Sequence, residues 1–296
     1  MSAAGTPDAG PRVVALGGGH GLAATLQAVR LYAADITAVV SVADDGGSSG
    51  RLREAFHIPP PGDLRRCLVA LGDTDLVWTR AYEHRFDAGE LEGHALGNLV
   101  IAGLAATTGD FIAALEEAGR LVGATGRVLP ATTVPVVLKA EVGGGHVEGQ
   151  VAVASAGHIN RVSIVPPDAE PPAAAVEAIA AADQVVLGPG SLYTSVLAAA
   201  AVPGIAAALA TTAARRTYVC NLRAQDPETA GYDVAAHVVA LRAHDVDVDV
   251  VLFDPAQMPV GDLPAGIDAC SRALTKPDGA GHDPARLAEA LSVLVG

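Results

Sequence analysis

Apolar residues along this chain fall into two spacings. Short unbroken runs at 13–16, 36–43, 184–187, 217–222 and 248–253 are flanked by glycine, proline or acidic residues, the pattern of strands buried on both faces. Between them the apolar positions recur at helical intervals: Leu22, Leu26 and Val29, then segments 64–71, 96–106, 111–121, 174–181, one starting near 192, and 233–243. The tail predicts a last helix, with Asp283 as N-cap, Pro284 at the first helical position and Leu287, Leu291 and Leu294 on one face.

The first strand, the glycine turn after it, the helix and the strand 36–43 make one βαβ unit, so a parallel sheet is implied. Residues 59–124 read as mostly helical, with Pro59-Pro60-Pro61-Gly62 as a rigid lead and Asp63 as the expected N-cap of the helix 64–71. From Val128 the pattern changes. Segments 134–141 and 146–154 flank Val142-Gly143-Gly144-Gly145 and predict a β-hairpin, with a further strand at 161–165. The expected fold is therefore α/β: a Rossmann-like, doubly wound, mainly parallel sheet with an inserted antiparallel β-hairpin. No linker or internal repeat divides the chain, so residues 13–296 read as a single domain behind a flexible lead over 1–12. That lead lacks the basic and apolar segments of a signal peptide. The uncharged stretch 196–214 is broken by Pro203-Gly204 and predicts two buried elements and no membrane insertion.

Charge narrows the partners. A formal net charge of −14 opposes nucleic acid and anionic membrane surfaces, so neither is an expected partner. Positive charge for a small anionic ligand must come from arginine, because Lys139 and Lys276 are the only lysines. Cys67, Cys220 and Cys270 are isolated and odd in number, which suits a reducing cytoplasm and offers no disulfide framework or CxxC metal site.

Chemistry concentrates in the loops that follow strands. Gly17-Gly18-Gly19-His20-Gly21 resembles a dinucleotide turn, except that the third glycine position of GxGxxG is Leu22, and no P-loop lysine follows any glycine turn. Phosphate would meet backbone N–H groups where the first helix begins. Asp44-Asp45-Gly46-Gly47-Ser48-Ser49-Gly50-Arg51 reads as a ligand loop whose carboxylates could hold ribose, water or a metal and whose amides and Arg51 could hold phosphate. Gly188-Pro189-Gly190-Ser191 repeats the strand-to-helix turn, Ser191 is suited to cap the helix, and Tyr193, Thr194 and Ser195 add hydroxyls. Arg65 joins Arg51 as a phosphate candidate ahead of Arg53 and Arg66. His94 and Asn98, four residues apart beside Gly93 and Gly97, are placed to face one site.

Taken in order, GGGHGL from Gly17, DITAVVSVADDGGSSGRLR from Asp35, PPGDLRRCLVAL from Pro60, GHALGNLVIAGL from Gly93, GPGSLYTSV from Gly188, and the segment holding Asn221, Gln225, Glu228 and Tyr232 resemble the gluconeogenesis-factor family, which is related to the 2-phospho-L-lactate transferases. The resemblance implies a cytoplasmic UDP-sugar-binding regulator, with UDP-N-acetylglucosamine the expected ligand, that couples carbon supply to cell-wall synthesis and cell shape. It also implies a role for Tyr232 in the sugar-nucleotide site. Where the family carries a basic residue ahead of a His-Asp pair, this chain has Gly281. The alternative it implies is a phospholactyl-type transferase in which Asp44 or Asp45 holds magnesium or acts as base. No resident cofactor or metal is otherwise expected; a homo-oligomer is, and the regulatory protein partner is not named by the sequence.

Overall fold

The computed structural model of the protein describes residues 10–296. Its main sheet has seven parallel strands: β1 (Arg12–Gly17), β2 (Asp35–Val40), β3 (Arg127–Pro130), then, across an insertion, four more. The insertion is a separate antiparallel sheet of β4 (Val137–Val142), β5 (Gly145–Glu148) and β6 (Ile159–Val165) in the order β5-β4-β6. The main sheet resumes with β7 (Gln184–Leu187), β8 (Arg215–Val219), β9 (Val250–Phe253) and β10 (Asp268–Ser271). Its spatial order, β10-β9-β8-β7-β1-β2-β3, reverses direction between β1 and β7, where Val13 pairs with Gln184 and Leu16 with Leu187. In open α/β sheets that reversal opens the ligand crevice at the strands' carboxyl ends.

The helices are α1 (Gly19–Val29), α2 (Gly47–Phe56), α3 (Pro61–Leu71), α4 (Val77–Glu83), α5 (Leu96–Thr108), α6 (Phe111–Leu121), α7 (Gln150–Ala154), α8 (Ala173–Ala181), α9 (Ala198–Ala200), α10 (Pro203–Thr211), α11 (Val234–Ala243) and α12 (Pro284–Ser292). A π-helical turn, Leu192–Leu197, runs directly into α9. Valine and leucine of β1, β2, β7, β8 and β9 are almost wholly buried beneath them, which accounts for apolar runs without alternation. Asp283 caps α12 as expected, accepting from the N–H groups of Ala285 and Arg286.

Several boundaries differ from expectation. Arg12 already belongs to β1, and residues 1–9 of the expected lead lie outside the described residues. The presumed loop 44–51 stops at Gly46, because Ser48, Ser49, Gly50 and Leu52 bury one face of α2 and draw the glycine-serine run into a helix. The second hairpin strand ends at Glu148, and Gln150–Ala154 turns into α7. α3 starts at Pro61 with Pro60 at its cap, so Asp63 is the third helical residue and not the N-cap. Among the described residues no single helix is long and apolar enough to cross a membrane; the apolar pair Leu192–Ala200 and Pro203–Thr211 bends by 81° at its break.

Candidate functional site

The two glycine turns at the reversal touch. A Cβ on Gly21 would lie 2.2 Å from the Pro189 carbonyl oxygen, so only glycine lets α1 start this close to the turn after β7. Asn221 clasps that turn from the end of β8: its Oδ1 accepts from Gly190 N at 3.0 Å and its Nδ2 donates to Gly190 O at 2.8 Å. Thr25 Oγ1 ties α1 to the Gly188 carbonyl at 2.7 Å.

Beside these turns opens a polar cleft of about 450 Å³. Of the candidates read from sequence, it is lined by Gly18, Gly19, His20, Gly21, Asp44, Gly46, Gly47, Ser48, Ser49, Asp63, Arg65, Asn98, Gly190, Ser191, Thr194 and Gln225. The remaining candidates stand back from it. Gly17 and Gly188 shape the strand ends, His94 lies behind Ser48, and Asn221 holds Gly190. Asp45 turns away to accept from Val151 N at 3.1 Å, and Arg51 donates to the Glu92 carbonyl at 2.9 Å on the exposed side of α2. Tyr193 is buried, its hydroxyl 2.8 Å from that of Tyr232.

Six lining residues were not among the chosen candidates: Ser41, Gly62, Arg66, Arg85, Gln150 and Ser195. Arg66 and Ser195 neighbour chosen residues in sequence, whereas Arg85 and Gln150 arrive from segments with no motif of their own. A Cβ on Gly62 would meet Ser49 Oγ at 2.3 Å, so this glycine lets the starts of α2 and α3 abut.

The electrostatics come from paired charges. Asp63 accepts from Gly19 N at 2.7 Å through one carboxylate oxygen and from Arg66 at 2.6 Å through the other. Asp44 Oδ1 accepts from Gly46 N at 3.0 Å; burial pushes its carboxyl above the usual range, Asp63 adds to that, and the Gly46 N–H and Ser49 hydroxyl oppose it. Ser191 makes no capping bond. The cap comes instead from Glu228, whose Oε1 accepts from Tyr193 N at 2.8 Å and Thr194 N at 3.0 Å. Burial pushes Glu228 up, and those same N–H groups pull it back. His20 is held below its ordinary value by burial and then by Arg66.

A buried polar chain crosses the floor. Arg65 Nε donates to Asn98 Oδ1 at 3.1 Å, Asn98 Nδ2 donates to Ser48 Oγ at 3.1 Å, and Ser48 Oγ lies 3.0 Å from His94 Nδ1. His94 is held below its ordinary value, first by burial and then by Arg51 and Arg85, which suits a neutral imidazole in this chain. Among the described residues no group of three or more His, Cys, Asp or Glu is placed to hold a metal. Asp44 and Asp63 both face the cleft, a donor set that fits a magnesium only with ligand phosphates completing the shell.

The family model described as 2-phospho-L-lactate transferase CofD matches residues 13–271. A protein of Halalkalibacterium halodurans named gluconeogenesis factor is 45% identical over 235 residues, 78% of this chain and 73% of its own. The Bacillus subtilis protein of the same name is 43% identical over 237 residues, 79% of this chain and 75% of its own. A solved structure from Bacillus halodurans, a member of the UPF0052 family, superposes with a TM-score of 0.88 at 38% identity, covering 94% of this chain and 97% of that one. By its matched span and by these relatives, the chain belongs to the CofD family and, within it, to the gluconeogenesis factors.

Proposed function

We propose that the cleft binds a UDP-sugar, UDP-N-acetylglucosamine first among them, and that the protein is a cytoplasmic regulator coupling carbon metabolism to cell-wall synthesis and cell shape. The observation that carries the reading is the composition of the crevice at the sheet reversal. Backbone amides at helix starts, six hydroxyl residues (Ser41, Ser48, Ser49, Ser191, Thr194 and Ser195) and three arginines line it, with no large apolar surface for a flat aromatic acceptor. Such walls favour a diphosphate joined to hydroxyl-rich groups. Binding alone accounts for such walls.

A second reading has one observation in its favour. Asp44 and Asp63 face the same cleft, and burial raises Asp44, as suits a group that exchanges a proton or shares a magnesium with phosphates. On that reading the protein transfers a phospholactyl-type group from a nucleotide-activated donor.

Calorimetry separates the two. Titration with UDP-N-acetylglucosamine is expected to give saturable heat, with UDP weaker and free N-acetylglucosamine weaker still. Absence of heat at millimolar ligand sinks the first reading; conversion of an activated phospholactate donor and a hydroxyl acceptor to product replaces it with the second.

A further inference from the structure

The inserted sheet is ordered β5-β4-β6, so β6 is an outer strand, and the N–H of its Val162 is taken by a side chain: His244 Nε2 accepts it at 2.9 Å. The other ring nitrogen, Nδ1, lies 2.7 Å from the Ala240 carbonyl, one turn back in α11. A carbonyl accepts and a backbone N–H donates, so the proton sits on Nδ1 and the ring is neutral. Among the described residues His244 is the one histidine with both ring nitrogens bonded to backbone groups; His94, His237 and His282 each use one nitrogen.

The same insertion reaches the cleft at its other end. Among the described residues Gln150 is the only lining residue that the insertion supplies. It opens α7, which leads from β5 toward β6, and the N–H of Val151 beside it donates to Asp45 at 3.1 Å. Both α7 and β6 pack on the π-helical turn, whose Thr194 and Ser195 line the cleft. Tyr193 of that turn meets the His244 ring edge-on, with ring centroids 5.7 Å apart. One imidazole therefore stands where β6, α11 and a wall of the cleft come together.

We infer that His244 is a positioning residue for the cleft: its neutral ring splints β6 to α11, so setting Gln150 and the π-helical turn in place, and uptake of one proton at Nε2 undoes the splint. A protonated Nε2 would face the Val162 N–H as a second donor, with no acceptor between them. Arg161 and Asp245 are the charged groups beside the ring; they pair with each other at 2.9 Å and are both exposed, so that pair holds little by itself. Burial lowers the His244 value below the ordinary one; the Ala240 carbonyl and Asp245 oppose this, and Arg161 adds to it. The docked, neutral form is thus present at pH 7 and is lost as pH falls below the ordinary histidine value. The effect on affinity rests on the nucleotide-sugar reading, whereas the docking of β6 does not.

Two variants make the test. His244→Gln offers an amide oxygen to the Val162 N–H and does not titrate; His244→Phe keeps a ring and offers no acceptor. Hydrogen exchange over Ile159–Val165, measured by mass spectrometry at pH 7 and pH 5 and compared between proteins at the same pH, follows the splint. Calorimetry with UDP-N-acetylglucosamine at both pH values follows the cleft. At pH 7 His244→Gln is expected to match the parent, while His244→Phe exchanges faster across β6 and binds about threefold or more weakly. At pH 5 the parent is expected to exchange faster across β6 than His244→Gln and to bind about threefold or more weakly than that variant. Taking parent against His244→Gln cancels the other groups that titrate in both, Asp44 among them. Parent and His244→Gln changing alike between the two pH values overturns the splint, as does a His244→Phe protein indistinguishable from the parent at pH 7. Exchange that moves as expected while the two affinities stay equal at pH 5 overturns the positioning role. The expected exchange with no heat from UDP-N-acetylglucosamine in any of the three proteins upholds the splint and removes the nucleotide-sugar reading. Should His244→Phe fold poorly, the comparison with His244→Gln decides alone.

Discussion

Asp63 on α3 accepts the Gly19 N–H at 2.7 Å across 44 positions of sequence, so the first helix begins against a carboxylate supplied by the third. The same carboxylate pairs with Arg66 at 2.6 Å. Asp63→Asn keeps an oxygen for Gly19 while removing the charge. Calorimetry is expected to find pyrophosphate bound about three- to tenfold more tightly, because a like charge leaves the cleft and Arg66 is released. Weaker binding would mean that Asp63 recruits the ligand.

Asp44 predicts a pH dependence. Burial raises its pKa in the folded state, so the ionised form is disfavoured by folding and its cost grows as pH rises through that value. Asp63 and Arg66 are the charged groups that also act on it, in opposite directions. Asp44→Asn is therefore expected to raise the thermal midpoint at pH 7 and leave it nearly unchanged at pH 4. UDP-N-acetylglucosamine affinity in metal-free buffer should fall in the parent as pH rises through the raised Asp44 titration, and stay flatter in the variant. A midpoint lowered at pH 7 would contradict the sign.

Glu228 holds two buried amides that its own loop does not need. Glu228→Gln retains an acceptor and should cost little, whereas Glu228→Ala leaves Tyr193 N and Thr194 N unpaired and should cost about 2–4 kcal/mol in urea unfolding. Equal costs for both variants would show that the charge, and not the acceptor, is what the helix start requires.

Gly21 and Gly103 give opposite outcomes for one substitution. Gly21→Ala drives a methyl to within 2.2 Å of the Pro189 carbonyl and is expected to cost about 2 kcal/mol or more, with loss of ligand binding. Gly103→Ala, inside α5 with nothing near its Cβ, is expected to stabilise by about 0.5–1 kcal/mol. Differential scanning calorimetry reads both.

His282 is buried, with Nε2 3.2 Å from the Cys220 carbonyl, and burial pushes its pKa down to about 4. The unfolded chain takes up that proton at a higher pH, so stability conferred by the neutral ring is present at pH 7 and lost as pH falls through the unfolded value toward 4. Roughly 2 kcal/mol should disappear between pH 7 and pH 5 from this residue alone. His282→Gln is expected to lower stability at pH 7 and to flatten the slope below it; an unaltered slope would refute the assignment.

The main sheet was legible because parallel strands buried on both faces write themselves as unbroken apolar runs, as β1 and β7 do. β10, Asp268–Ser271, was not, since an edge strand with mostly exposed side chains has no such run. The start of α2 misled because Gly-Gly-Ser-Ser-Gly has turn propensity; what makes it helical is burial against α3 and α5, which local preference does not encode. Most residues lining the cleft lie within the motifs, although Ser41, Gly62, Arg66 and Ser195, also within them, carry no signal that sets them apart from their neighbours. Arg85 lies outside them, and the β-bridge between Arg85 and Ala95 and the chain's long-range return bring it there. Arg51 was favoured by its place in the motif, yet the helical turn points it to the Glu92 carbonyl.

The buried Gln184 side chain accepts from the Tyr32 hydroxyl at 2.7 Å and donates to the Leu291 carbonyl at 3.0 Å, knitting β7 to segments near both ends of the described chain. Its strand also forms one lip of the crevice, whose other lip is β1. The crevice is therefore a seam between strands separated by some 170 residues, as the Val13–Gln184 pairing shows, and it forms only when that long-range pairing is made. Nothing that binds there can do so on a half-made protein. A ligand bound at that seam, as proposed, would by mass action stabilise only the chain whose sheet is complete.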